Sequence, residues 1–423
     1  MQNFWDKIVV ALKDPILRKR IGFTILALVL FRAMATIPIP GVNAENLSQL
    51  LGSSQFFGFL NIFSGGGLSN LSIVMLGVGP FITASIVIQL LTMMFPKWKA
   101  LMHEEGEAGR MKLSNYSRLL SVPLAILSAV GFVSLLQSQN VLPEFGTVPF
   151  IINILVITAG STLLMWIGEL ISEFGIGNGV SLIIFAGIVS SLPGSITQFF
   201  ASYDTANIPI YAAALAIGLI VIAGVVFITE AERSVPVTYA KQVRGNKVYG
   251  GASTYLPLRL NQAGVIPIIF ALSILLFPQI ISNFLSHVSN TTVASIATSF
   301  TTFFNNPWVY GGFYFILVVV FTYFYTAVTF DPKQISENLQ RSGAFVPGVR
   351  PGDHTRDHLA AIVTRITLVG ALFLGIVAIL PLVMQAFTAN KSLAIGGTAL
   401  LIVVSVVLDL LKKIDAQVSM REY

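Results

Sequence analysis

The chain has 423 residues, of which 55% are hydrophobic and only 10% are charged. Soluble globular domains carry about 25% charged residues, so this composition excludes an ordinary water-soluble enzyme and a disordered protein. It predicts a polytopic membrane protein. Cysteine is absent, which excludes disulfides, thiolate metal sites and a thiol nucleophile. We interpret the net charge of +6 first as a sign of membrane orientation.

Ten apolar runs in the sequence each approach the length of about 20 residues that a helix needs to cross a bilayer. Strands of an outer-membrane barrel alternate apolar and polar residues, whereas these runs are continuously apolar. The sequence therefore predicts an all-α polytopic membrane protein. The predicted spans lie at about 21–39, 76–95, 119–136, 149–170, 180–200, 208–228, 264–284, 309–330, 366–387 and 393–411.

The basic residues follow these spans in a regular pattern. Of the 25 Lys and Arg residues, all except Arg32 and Lys391 fall on the side to which an even number of spans returns the chain. The positive-inside rule therefore predicts a multi-pass membrane protein with both termini in the cytoplasm. The first apolar run ends without a small-residue cleavage site, so we interpret it as a retained helix and not a signal peptide.

Ten spans divide into two sets of five, in residues 1–200 and 201–423. An odd number of helices in each half gives the halves opposite orientations, so any internal repeat is an inverted one. Span two begins with Gly-Val-Gly-Pro at 77–80 and span seven with Gly-Val-Ile-Pro at 264–267, which is weak support for a repeat. The alternative is that Gly and Pro are simply common in membrane helices.

Few polar groups lie where a coupled transporter or an intramembrane enzyme needs them. Charged residues are nearly absent from the middle of the spans, which argues against proton- or sodium-coupled transport but leaves a neutral polar site open. His354 and His358 have the spacing of a helical zinc pair but lack the Glu of a zinc protease motif, so a solvated loop is preferred. The glycines at 175–179 lack the Lys-Ser/Thr of a phosphate loop and indicate a tight turn.

The segment after the first span contains an apolar stretch, residues 56–63, that is too short to cross the membrane. Three consecutive glycines follow it. Three interpretations stay open: a loop on the outer membrane surface, an interfacial helix, or a re-entrant piece buried within the protein.

Seven segments in chain order carry a resemblance to the SecY family, the channel subunits of bacterial protein translocases. The similarity runs through essentially the whole chain, and the order and placement of the segments make it specific. The segments are Ile37-Pro-Ile-Pro-Gly41, Asn61-Ile-Phe-Ser-Gly-Gly66, Ala84-Ser-Ile-Val-Ile-Gln-Leu-Leu91, Gly175-Ile-Gly-Asn-Gly179, Ile183-Ile-Phe-Ala-Gly-Ile188, Asn261-Gln-Ala-Gly-Val-Ile-Pro267 and Ser342-Gly-Ala-Phe-Val-Pro-Gly-Val-Arg-Pro-Gly352.

The resemblance implies a clam-shell of two inverted five-helix halves around an hourglass-shaped central pore. In the family, a ring of aliphatic side chains closes the waist of the pore, and a narrow apolar ring of this kind blocks ions by dewetting. Without the family, ordinary helix packing is the better explanation of the same residues. The matching positions are Val78, Ile82, Val180, Ile184, Ile269 and Ile402.

The resemblance also implies that residues 56–71 are a plug, a short helix that seals the outer funnel of the pore. The three glycines are then its hinge. The matching positions are Asn61, Phe63, Gly65, Gly66, Gly67 and Leu68.

A lateral gate is implied between spans two and seven, with spans three and eight beside them, and Thr83 and Gln89 match gate positions. Interhelical hydrogen bonds there are expected to hold the gate closed, at an average of about 0.6 kcal/mol each. Burial of an apolar signal sequence in lipid returns several kcal/mol at about 25 cal/mol per Å², so we expect the substrate to open the gate.

Two long polar loops, 229–263 and 331–365, are expected on the cytoplasmic side. The first resembles the family's docking hairpin for the ribosome or the SecA motor ATPase, with Arg244 and Lys247 near its tip for contact with ribosomal RNA phosphates. Arg350 in the second loop matches an arginine that the family needs for motor-driven translocation. Positive-inside charge alone explains most of both loops, but the position of Arg350 between two Pro-Gly pairs favours a function.

The implied function is a passive protein-conducting channel, without a catalytic site or a cofactor. It takes signal sequences and nascent polypeptides outward and releases apolar segments into membrane lipids, with SecE and SecG as membrane subunits. A secondary transporter with inverted repeats is the alternative, and an intramembrane enzyme is a third class. Two parts depart from the family: the tail after span ten is short, and residues 285–307 match no motif.

Overall fold

The structure is a computed structural model. Part of the predicted plug segment lies outside the residues that it describes, including residues 56–60, Phe63 and Gly65. The described residues are 13–40, 61, 64, 66–68, 70–95, 97–98, 101, 106–138, 142–143, 146–201, 208–239, 242–244, 247–249, 253–262, 264, 266–285, 291–304, 306–388 and 391–419.

Helices dominate the described part of the chain. They are α1 (Pro15–Met34), α2 (Gly79–Met94), α3 (Gly106–Ser138), α4 (Thr147–Phe174), α5 (Gly179–Ala201), α6 (Ile208–Glu230), α7 (Ile266–Leu285), α8 (Thr291–Phe304), α9 (Pro307–Thr329), α10 (Pro332–Arg341), α11 (Asp353–Thr388) and α12 (Lys391–Ser419). All except α8 and α10 coincide with the predicted spans, so the predicted succession of long helices is confirmed.

The helices do not all begin where hydropathy predicts. Helix α3 starts at Gly106 and α11 at Asp353, each about four turns before its apolar run, because charged residues favour helix in water as well. By length and composition alone, four helices within the described residues are long and apolar enough to cross a membrane, and four shorter apolar helices accompany them.

Local capping explains two of the helix starts. The side chain of Asp14 accepts a hydrogen bond from the backbone N–H of Ile16 at 2.9 Å, and that of Asn306 accepts one from Trp308 at 3.0 Å. A proline follows each capping residue, where its missing N–H costs nothing. These local signals mark where α1 and α9 begin.

The two long polar loops of the prediction join in one small sheet. Strand β1 (Glu232–Tyr239) pairs antiparallel with both β4 (Ser253–Arg259) and β5 (Ala344–Phe345), while β2 (Gln242–Arg244) and β3 (Lys247–Tyr249) form a separate hairpin. Because β5 comes from the second loop, the loops are one structural unit. The membrane part is helical as predicted, but the sheet was not expected.

A buried apolar cluster holds this unit to the start of α11. Val235 and Val237 point to the same side of β1 and pack with Leu258 of β4, Ala344 of β5 and Leu359 of α11. Alternating residues of a strand share one face, so the inward face of β1 is apolar although the loop as a whole is polar. This packing fixes β1, β4 and β5 against the first part of α11.

Helix α8 was also not predicted, since residues 285–307 were left without a motif. The Ser282 hydroxyl of α7 donates to the Ala297 carbonyl of α8 at 2.7 Å, which ties the two helices together. Helix α7 runs from the β4 side of the molecule to α8, and α9 runs back from α8 to α10. We therefore name the two ends of the molecule the sheet end and the α8 end.

The helices pack around one large apolar cluster, which we call the central cluster. It draws on α1, α2, α4, α5, α6, α7, α9, α11 and α12, while α3 packs instead in a second cluster with α4 and residues 68–75. Helix α2 contacts both α3 and α7, and α7 also contacts α9.

Candidate functional site

The six predicted ring residues come together in the central cluster. Five of them are buried and the sixth, Val180, is half-buried and packs against the others. They approach from four different elements: the start of α2, α5, α7 and α12. Convergence from four helices is what a ring needs, although the assignment as a pore ring remains a prediction. The residues are Val78, Ile82, Val180, Ile184, Ile269 and Ile402.

A cavity of about 290 Å³ with a mixed polar and apolar lining lies on the sheet side of this cluster. Ser181, Ile266 and Ser405 line it, and each stands three residues from a predicted ring residue, which is about one helical turn. The cavity therefore ends where the aliphatic side chains begin. Polar groups also line its wall, among them Asn261 and Arg259.

Ion pairs frame the outer part of the same cavity. Lys412 of α12 lies 2.8 Å from the Glu230 carboxylate at the end of α6, and Lys413 lies 3.0 Å from Asp409. These side chains are partly exposed, so each pair contributes little to stability. They give the cavity a charged rim on the side away from the uncharged aliphatic cluster.

Most described residues of the predicted plug segment are buried between helices, while Asn70 is exposed. Ser64, Leu68 and Leu71 are almost fully buried, and Leu68 and Leu71 belong to the cluster with α3 and α4. Two backbone hydrogen bonds of 2.9 Å, from Ile39 to Leu71 and from Ile73 to Ile37, tie it to the chain that leaves α1. The interpretations left open concern residues 56–63, which apart from Asn61 lie outside the described residues, so they stay open there.

Two of the three predicted hinge glycines are described, and each is required for a different reason. Gly66 has a φ of +82°, and a Cβ there would stand 3.5 Å from Arg32 Nη1 and from Ser190 Oγ. A Cβ at Gly67 would come within 2.8 Å of Ser72 Oγ. The glycines are therefore required by a left-handed backbone and by close packing. Their use as a hinge stays a prediction.

The backbone turn around these glycines is closed by Asn61. Its carbonyl accepts hydrogen bonds from Gly66 N–H at 2.8 Å and from the Ser64 hydroxyl at 3.0 Å. The Ser64 hydroxyl oxygen in turn accepts from Leu68 N–H at 3.0 Å. This local network ties Asn61, Ser64, Gly66 and Leu68 together.

Sequence reasoning missed the residues of α4 that hold the chain just before α2. The Ser161 hydroxyl donates to the Gly77 carbonyl at 2.8 Å, and Gly160 lets the backbone of Ile73 approach so closely that a Cβ would collide with its carbonyl. Small residues allow this approach in membrane helices. The run Ala159-Gly160-Ser161 within an apolar span was the available signal.

The predicted gate helices are neighbours. Helix α2 contacts α7, with α3 and α9 beside them, so the expected adjacency is confirmed. The Thr83 hydroxyl donates to Gly79 of its own helix at 3.1 Å and not to α7. The Gln89 side-chain oxygen is buried and has no hydrogen-bond partner among the described residues. Neither residue therefore makes the interhelical bond that we expected.

Gln89 borders a cavity of about 480 Å³ between α2, α3 and α9. Ser85, Ser117 and Thr329 contribute hydroxyl groups to its lining, and Arg110 contributes a positive charge. The gate region thus has a polar side and is not sealed by hydrocarbon packing alone.

Arg350 is exposed in a rigid turn at the sheet end. Gly348 and Gly352 on either side have φ values of +83° and +93°. The Thr355 hydroxyl donates to the Arg350 carbonyl at 2.9 Å, and the Ser336 hydroxyl donates to the Gly352 carbonyl at 2.6 Å. This turn presents the guanidinium outward from a fixed backbone. Its docking role remains a prediction.

Arg244 and Lys247 face each other in the register of the β2–β3 hairpin, at the tip where the sequence analysis placed them.

His354 and His358 lie exposed on the first turns of α11. Between them, Arg356 pairs with Asp357 and Asp353 at 2.9 Å each. The hydrogen bond to Asp357 and the two neighbouring carboxylates raise the pKa of the Arg356 guanidinium above its ordinary value.

Taken together, the fold and this site define a polytopic helical membrane channel. The profile of the SecY family matches residues 72–411. The protein translocase subunit SecY of Mycobacterium tuberculosis is 40% identical over 433 residues, which cover 98% of this chain and 97% of that protein. The chain therefore belongs to the SecY family, a family of channel subunits and not of enzymes.

Two solved structures are similar in fold. One, described as showing that the plug domain of the SecY protein stabilises the closed state of the translocation channel and maintains a membrane seal, has a TM-score of 0.65 at 19% identity. The other, Sec61 in the canine ribosome–channel complex from the endoplasmic reticulum, has a TM-score of 0.63 at 18% identity. Each comparison covers 96% of this chain and 93% of the other. These similarities confirm the ten-helix channel fold.

Proposed function

We propose that the chain passes unfolded secretory polypeptides through the central cluster and across the bacterial plasma membrane. The observation that carries this proposal is the cavity with a charged rim, whose lining lies one helical turn from six converging aliphatic residues. A hydrated funnel that ends in an apolar constriction blocks ions by dewetting. Aliphatic side chains also have no preference among cargo side chains, which suits a channel for many sequences.

Opening of the constriction requires its helices to separate. The residues come from both proposed halves: Val78, Ile82, Val180 and Ile184 from residues 1–200, and Ile269 and Ile402 from residues 201–423. Rotation of one five-helix half against the other would therefore widen the ring without unfolding any helix. The contacts of α2 with α7 and of α5 with α12 lie between these halves.

Residues 56–71 act as the plug in this proposal. The burial of Leu68 and the closed turn between Asn61 and Gly66 support a seated, closed conformation. The related structure with a plug domain gives the same role to a SecY protein. Displacement of the segment precedes passage of the substrate.

Lateral release takes place between α2 and α7. Their contact is formed without a side-chain hydrogen bond from Thr83, and Gln89 faces a cavity. A gate with so little polar bonding opens at low cost. An apolar signal sequence that binds there gains several kcal/mol from burial, at about 25 cal/mol per Å².

The sheet end is the cytoplasmic side, and both termini lie there. The exposed Arg350 turn and the β2–β3 hairpin with Arg244 and Lys247 receive the SecA motor ATPase or the ribosome, whose RNA phosphates attract the basic residues. Ribosome binding by the related canine channel supports this assignment. SecE and SecG complete the complex as membrane subunits.

Site-specific photocrosslinking tests the path of the substrate. A photoreactive residue in place of Ile402 in the assembled translocase is expected to capture a polypeptide stalled in transit. The matched control is Leu215 on α6, which is 67% exposed on the surface of the helix bundle. Capture at Leu215 but not at Ile402 would contradict a central path.

A further inference from the structure

Helix α8 is amphipathic although the sequence around it carries no charged residue. The sequence between 285 and 307 contains no Asp, Glu, Lys or Arg. At 100° per residue, Ala297, Phe300, Phe303 and Phe304 fall on one arc of the helix of about 120°. The opposite arc carries hydroxyl-bearing residues, such as Thr298.

One edge of the apolar arc faces the protein. Ala297 is buried, and its carbonyl accepts the hydrogen bond from Ser282 of α7. The ring of Phe304 packs against Phe313 of α9, with ring centroids 5.4 Å apart. This edge fixes the rotation of α8 about its own axis.

The other edge of the apolar arc is exposed. Phe300 is 39% exposed and Phe303 is 53% exposed, and both rings contact Phe304. In a water-soluble protein two such rings would be unfavourable at the surface. In a membrane protein they mark a surface that lipid covers.

The polar arc is suited to the boundary between water and lipid. The hydroxyls of Thr298, Ser299 and Thr302 donate to backbone carbonyls of α8 itself, at 2.8–3.1 Å. Hydroxyls that are bonded within the helix cost less to place near hydrocarbon than free ones do. Because this arc carries no charge, α8 has no group that would attract anionic lipid.

The start of α9 places α8 at the level of the membrane boundary. Helix α9 begins only three residues after α8 ends, and Trp308 in its first turn is 67% exposed. Trp is enriched where the headgroups meet the acyl chains. An apolar groove of about 330 Å³ between α9 and α11 continues from Trp308 toward the membrane interior, lined by Gly311 and Leu382.

We propose that α8 is an interfacial helix that inserts Phe300 and Phe303 into the leaflet at the α8 end, and that its partner is an uncharged lipid surface. Helices of this type bury their apolar face about 5–10 Å into the boundary between headgroups and acyl chains. The hydrogen bond from Ser282 then connects that leaflet to the end of α7. This inference needs only the membrane location of the chain and not the proposed path of the substrate.

The experiment uses the absence of native cysteine. A single cysteine replaces Phe303 in one full-length variant and Thr298 in another, and each is labelled with the fluorophore NBD and reconstituted in phosphatidylcholine vesicles. At position 303 we expect several-fold stronger quenching by doxyl-labelled lipid than at 298, and several-fold weaker quenching by aqueous iodide. The two positions lie on opposite arcs of one helix, so they are matched controls.

The competing outcomes are distinct. Equal quenching by iodide at both positions would mean that α8 stands in water and would overturn the proposal. Protection of position 303 from both quenchers would mean that protein covers it, with the same consequence. Lipid quenching that appears only after addition of phosphatidylglycerol would show that α8 needs anionic lipid, and would overturn the proposal of an uncharged lipid surface. The same label at Phe300 provides a second variant should Phe303→Cys fail to fold. No transport is measured, so failure here leaves the proposed function untouched.

Discussion

The left-handed backbone at Gly66 gives the sharpest quantitative prediction about the plug segment. In Gly66→Ala a Cβ must occupy a residue with a φ of +82°. Space is not the obstacle, because the nearest heavy atoms, on Arg32 and Ser190, lie at an ordinary contact distance of 3.5 Å. The cost is backbone strain of about 1–2 kcal/mol. Displacement of the segment relieves that strain.

The expected consequence is a shift in population. A strain of about 1–2 kcal/mol in the seated conformation raises the displaced fraction about five- to thirty-fold. Ser64→Cys reports this fraction, because residue 64 is only 1% exposed and a water-soluble maleimide reaches it only after displacement. The labelling rate should rise by the same factor in the Gly66→Ala background.

Two controls isolate the cause. Asn70→Cys starts from an exposed position and should react at one rate in both backgrounds. Gly22→Ala on α1 adds a Cβ in open space at a helical residue and should leave Ser64→Cys protected. A labelling rate at position 64 that changes less than twofold in Gly66→Ala would refute the reasoning, since the strain would then not bear on the seated state.

Three further predictions concern the docking turn, the gate and the α4 contact. Arg350→Glu should abolish motor-driven export while the complex still assembles, and export at the normal rate in a vesicle assay would remove its role. Cysteines on the facing sides of α2 and α7 should form crosslinks that stop lateral release; release that continues with the crosslink in place would argue against this gate. Gly160→Val should destabilise the fold by about 1–3 kcal/mol, because its side chain collides with the backbone of Ile73. Gly218→Val has open space and serves as its control in a thermal unfolding assay, where equal losses would contradict the packing argument.

The sequence predicts the membrane helices well because one property determines them. A run of about 20 apolar residues has few alternatives to a spanning helix, and the charges between runs then order the spans. Helix ends were less predictable: the first turns of α11, from Asp353 to Arg356, are charged and lie outside any hydropathy signal.

Long-range contacts account for the rest of the differences. Strand β1 pairs with β5, which lies more than a hundred residues later in the chain. Pro236 stands between Val235 and Val237, and a proline at that place weakens the sequence signal of a strand. Helix α8 is too rich in Ser and Thr for a hydropathy search, although its apolar residues recur with helical spacing.

The candidate site was predictable in its residue types but not in its contacts. Six aliphatic positions follow from the family resemblance, and their convergence required the structure. The burial of Leu68 and Leu71 depends on α3 and α4, which no local pattern specifies. The bond of Thr83 to its own helix likewise depends on geometry that sequence alone does not give.

Ion conductance through the reconstituted channel at rest tests the central claim most directly. Serine in place of Ile82, Ile184 and Ile269 should let water and ions cross the constriction, so the resting conductance should rise well above that of the parent. Serine at Leu26 and Leu215, which are exposed on the outside of the bundle, should leave it unchanged. A triple variant that folds and assembles yet stays as tight as the parent would contradict a pore closed by these residues.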